Sequence, residues 1–65
     1  MQISVNGDCI EINDNCSVSD LLQQYQCARD VVVLVNGTIV LDIDFDTIQL
    51  RNNDDVQLLS FLGGG

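Results

Sequence analysis

The residues best suited to chemistry are Gly63, Gly64 and Gly65, which follow Phe61-Leu62 at the end of the 65-residue sequence. Inside a chain, a glycine run is a turn or a linker. As the last residues it displays the carboxylate of Gly65 on a stalk without side chains. Fully extended, Phe61 to Gly65 reaches about 17 Å, enough to place that carboxylate in a buried site of another protein. A frayed end is the other reading of the same residues.

The remaining reactive groups point nowhere else. Cys9, Cys16 and Cys27 are odd in number, are spaced by seven and eleven, and have no histidine beside them. That pattern matches neither a zinc site, a redox CxxC pair nor a secreted disulfide framework, so reduced structural thiols are expected. Without histidine, a Cys-His or Ser-His nucleophile cannot form within this chain. Lysine is absent too, and no phosphate-binding loop is present. Nine Asp and one Glu against two Arg give a net charge of −8. Such a surface repels nucleic acid and anionic lipid, and it favours basic protein partners or serves solubility. No signal, transit or membrane-spanning segment is read, which points to a cytoplasmic protein.

The elements that would position the tail follow from periodicity. Sixty-five residues, 46% hydrophobic and without proline, make one small domain with a thin stability margin and a core of about fifteen side chains. Met1, Ile3 and Val5 alternate with Gln2 and Ser4, Asn6-Gly7 marks a hairpin turn, and Ile10 and Ile12 flank Glu11 in a return strand. Ser17 suits a helix N-cap with Asp20 in the first turn, and Val18, Leu21, Leu22 and Tyr25 form a helical stripe. Val31 to Val35 is a β-branched strand covered over much of both faces, Asn36-Gly37 a second hairpin turn, and Thr38 to Val40 its return. Leu41 to Asp46 alternates apolar residues with Asp, which suits an edge strand or a 3₁₀ turn. Ile48 to Leu50 reads as a short strand, Arg51 to Asp54 as a turn, and Val56 to Leu62 as the last strand. The order β-β-α-β-β(-β) lets the last strand lie parallel to the first, with the helix across one face.

A short chain of this order ending in Gly-Gly resembles the thiamine-biosynthesis sulfur carriers of bacteria and plastids, the ThiS type, over nearly its whole length. The matching residues are Val5-Asn6-Gly7, Ser17 to Leu22, Val33 to Val40, and Asn53 to Gly65. The family usually has Gly-Asp where this chain has Asn53-Asp54, and asparagine tolerates the same left-handed geometry. It often carries a tryptophan near 41–47, where this chain offers Phe45.

The resemblance implies an α+β, ubiquitin-like β-grasp fold. Its mixed sheet would have four to five strands and one main helix packed on one face, with residues 1–62 as the domain and 63–65 as a flexible Gly-Gly-Gly tail. It implies no catalysis by the chain itself and no bound cofactor. A ThiF-type activating enzyme would use ATP to adenylate Gly65, and a persulfide donor would supply sulfur for a thiocarboxylate. Thiazole synthase of the ThiG type would consume it, in the cytoplasm or a plastid stroma, with Gly63 and Gly64 giving clearance in a narrow channel. Docking would use Leu59, Phe61 and Leu62 on the last strand, unless these are core, and Asp54 and Asp55, unless these merely solvate a turn. The alternatives are a small subunit delivering sulfur to molybdopterin and a ubiquitin-like module without sulfur chemistry.

Overall fold

A computed structural model describes residues 1–26 and 30–60, Ser60 by its backbone alone. Strand β1 (Gln2–Val5) turns through Asn6-Gly7 into β2 (Asp8–Glu11). Asn6 has φ 51° and Gly7 φ 90°, the twin left-handed residues that a two-residue hairpin matched to strand twist requires. Helix α1 (Val18–Gln24) follows, then β3 (Val31–Val35), β4 (Thr38–Val40), a 3₁₀ turn at Asp42–Asp44, and β5 (Asp55–Ser60). The sheet order is β2-β1-β5-β3-β4, with β5 parallel to β1 and antiparallel to β3. This five-stranded mixed sheet with one helix is the ubiquitin-like β-grasp.

Helix α1 is seven residues long, too short to persist alone, so its ends must be held. Ser17 and Asp20 form a reciprocal capping box: the Asp20 amide donates to Ser17 Oγ and the Ser17 amide to Asp20 Oδ2, both at 3.1 Å. Two further first-turn amides are satisfied from a distance. Val18 N–H donates to the Ile48 carbonyl at 3.1 Å and Ser19 N–H to the Phe45 carbonyl at 2.9 Å. Val18, Leu21 and Leu22 face the sheet, where they join Ile3, Val5, Val33 and Val56 in one buried cluster. Tyr25 departs from the expected stripe. It is the helix C-cap, 38% exposed, because the helix ends before that position can turn inward.

Two other stretches differ from the periodicity. Leu41 to Asp46 is not an edge strand: Asp44 and Phe45 amides donate back to the carbonyls of Leu41 and Asp42, closing the 3₁₀ turn. Sinking Phe45 to 1% exposure requires that bend and adds about 2–3 kcal/mol of apolar burial. Ile48 to Leu50 is not a sheet strand either. It makes a single bridge, Ser17 with Gln49, and Leu50 N–H donates to the Cys16 carbonyl at 2.8 Å. Its partner is the loop that starts the helix. No helix among the described residues is long and apolar enough to cross a membrane.

Candidate functional site

The tail issues from β5, the central strand of the sheet. Val56 is fully buried and Leu58 packs against the core, so their neighbours Gln57 and Leu59 face away from the helix. Leu59 is 49% exposed and pairs with half-buried Val32, while Leu34 pairs with Ile39 on the same outer face. Of the expected docking residues, Leu59 therefore lies on the surface and not in the core. Phe61, Leu62, Gly63, Gly64 and Gly65 lie outside the described residues, as does Cys27.

Asp54 and Asp55 both have internal partners. Asp54 accepts from Asn36 Nδ2 at 2.9 Å through Oδ1 and from the Arg51 amide at 2.8 Å through Oδ2. It stitches the turn before β5 to the β3–β4 hairpin. Asn53 at the centre of that turn has φ 70°, so asparagine does take the left-handed geometry there. Asp55 lies on the outer face opposite Ser4, whose hydroxyl donates to its Oδ1 at 2.8 Å.

Two residues that the sequence marks only as turn formers also hold the tail strand. Strand β1 leaves the sheet after Val5, so beyond Val56 β5 has no strand neighbour on that side. The Asn6 side chain fills the gap: its Oδ1 accepts from the Leu58 amide at 2.9 Å and its Nδ2 reaches the Leu58 carbonyl at 3.5 Å. Asn36 does the same at the other end, where its Oδ1 accepts from the Asp55 amide at 2.9 Å. Both hairpin asparagines thus extend the ladder onto β5 with side-chain amides. The only sequence signal was the choice of Asn over Asp or Gly at both turns.

Cys16 packs in the core and Cys9 is exposed, both as free cysteines. Burial, and secondarily the Asp20 charge, pushes the Cys16 thiol above its ordinary value. Among the described residues, no three thiols or carboxylates converge to hold a metal ion.

The surroundings of β5 thus offer a braced strand, an apolar outer face and acidic neighbours. A family model describing the ThiS family matches residues 3–65, glycines included. The chain belongs to the ThiS family. The crystal structure of a thiamine biosynthesis protein (ThiS) from Geobacter metallireducens is similar at 30% identity and TM-score 0.86, each chain covered in full. An NMR structure of a thiamine biosynthesis protein from the same organism matches at 30% identity and TM-score 0.81, covering all of this chain and 88% of that one. No curated protein matches. In this ThiS-family chain the β-grasp order and the position of the last strand are as the sequence led one to expect, and Phe45 fills the core.

Proposed function

We propose that the chain is a sulfur carrier of thiamine biosynthesis, with residues 1–62 as a platform and 63–65 as the sulfur-bearing tail. The observation that carries this reading is the family match, which runs through the glycines to Gly65. The Gly65 carboxylate is a poor electrophile. On a ThiF-type enzyme a carboxylate oxygen attacks the α-phosphorus of ATP, breaking the α–β anhydride and releasing pyrophosphate, which leaves an acyl-adenylate. The terminal sulfur of a persulfide displaces AMP, and a thiol reduces the resulting S–S bond, which leaves a thiocarboxylate on Gly65. Thiazole synthase then takes that sulfur as its nucleophile. Tethering turns scarce sulfide into a locally concentrated reagent. Gly63 and Gly64 supply clearance, since a Cβ would obstruct a narrow channel.

The chain brings no catalyst and binds no cofactor; ATP belongs to the activating enzyme. Leu59, with Phe61 and Leu62 after it, makes the contact nearest the tail. That both similar structures are of thiamine biosynthesis proteins favours thiazole over molybdopterin as destination. The free thiols suit a reducing compartment such as the cytoplasm.

Intact-mass spectrometry after incubation with ATP, activating enzyme and persulfide donor is expected to show one oxygen exchanged for sulfur at Gly65. The chain shortened by Gly64-Gly65 should fold normally and gain no sulfur. An unchanged mass for the full chain with a competent enzyme set refutes the reading.

A further inference from the structure

Ile39, Leu41 and Ile43 remain 61%, 62% and 78% exposed. Each large aliphatic side chain left outside forgoes about 1.5–3 kcal/mol of burial, and a 65-residue domain has little margin to forgo it. The segment that carries them is firmly held. Phe45 is sunk in the core, its carbonyl accepts from Ser19, and Asp44 N–H closes on the Leu41 carbonyl at 2.9 Å. Three apolar side chains are therefore presented on an anchored support, the arrangement expected of an interaction surface.

Strand register places the start of this ridge beside the end of β5. Val40 lies opposite Val33, which lies opposite Leu58. Leu41, still extended, stands one step further along, level with Val32 and Leu59 near the end of β5, before the 3₁₀ turn bends off the sheet. The separation is two strands, about 10 Å. A protein that receives the chain beyond Ser60 therefore passes alongside the ridge.

Charge selects the occupant. Asp42, Asp44 and Asp46 alternate with Leu41, Ile43 and Phe45, and Asp30 precedes β3 at the same end of the sheet. A second copy would bring like charges together, and lipid headgroups or nucleic acid would be repelled. The complement is an apolar hollow rimmed by Lys and Arg. An enzyme that binds ATP already gathers such cations around its phosphates. We propose that Ile39, Leu41 and Ile43 form a docking ridge for the tail-activating enzyme, seated in a basic-rimmed apolar hollow beside the channel that takes the tail. This rests on the activation reading above.

The test titrates the ¹⁵N-labelled full chain with the ThiF-type enzyme of its own source and follows each amide. It is paired with ATP–pyrophosphate exchange for the variants Ile43→Asp and Leu41→Gln. Amides 39–44 are expected to shift together with the end of β5. Ile43→Asp should raise the KM for the carrier by about tenfold or more, the scale of one well-buried interface contact. Its kcat and melting temperature should stay unchanged, with a smaller KM effect for Leu41→Gln. Binding whose shifts are confined to Leu59 and the end of β5, or variants with wild-type KM, would overturn the ridge while the activation reading stands. Absence of any binding or exchange by the unaltered chain overturns the activation reading, and the named occupant with it.

Discussion

Cys16 shows how a single buried group ties this fold to pH. Its thiol is 6% exposed and Sγ donates to the Ser17 carbonyl at 3.5 Å. Burial first, then the nearby Asp20 carboxylate, favours the neutral form, so the folded-state pKa is raised. The unfolded chain gives up this proton first as pH rises, and above the ordinary thiol value of about 8.5 it binds fewer protons than the folded chain. The Cys16 contribution to stability is therefore complete below that pH and is lost progressively above it. Urea melts at steps from about pH 7 to about pH 10 should show a decline that is reduced in Cys16→Ala, whatever that variant's baseline stability. Parallel declines in both proteins would remove Cys16 as the cause. Ser17 and Asp20, next to this thiol, were readable as a helix start because capping depends on local spacing alone.

At the scale of elements, β5 is braced from both sides by turn asparagines. Asn6→Gly keeps a residue at ease with φ near 51° but removes both bonds to Leu58. We expect a net loss of about 0.5–1.5 kcal/mol in urea unfolding and faster hydrogen exchange at the Leu58 amide. Asn6→Ala should lose more, since it also adds left-handed strain. Unaltered Leu58 exchange in Asn6→Gly would show that the strand does not depend on the clamp. Both hairpins, the helix and β3 could be read from the chain, because turn chemistry and periodicity are local. From Leu41 to Asp46 the sequence leaves an edge strand and a 3₁₀ turn both open, and from Ile48 it wrongly suggests a strand. Burial of Phe45 and backbone bonds to residues 16–19 select the 3₁₀ turn and bend the chain away from the sheet. Those partners lie more than twenty residues away in sequence, beyond the reach of any local pattern.

For the whole molecule, a net charge of −8 on 65 residues should act on encounter more than on fold. The association rate with the activating enzyme is expected to fall as salt rises through about 0.1 M, where the Debye length is about 10 Å, with little change in dissociation. Stopped-flow mixing at several ionic strengths measures this, and a flat rate would leave the charge a solubility role only. Composition and periodicity by themselves determined an acidic chain with a sheet and one helix, while the β-grasp strand order came from the family resemblance. They left open whether Leu59 is core or surface, because an aliphatic residue in a strand reads alike on either face. They also gave no sign that the Asn6 and Asn36 side chains hold β5, or that Leu41 stands level with Leu59 near the end of β5. Only tertiary structure decided these points, because they depend on which strand lies beside which and on which face the helix covers.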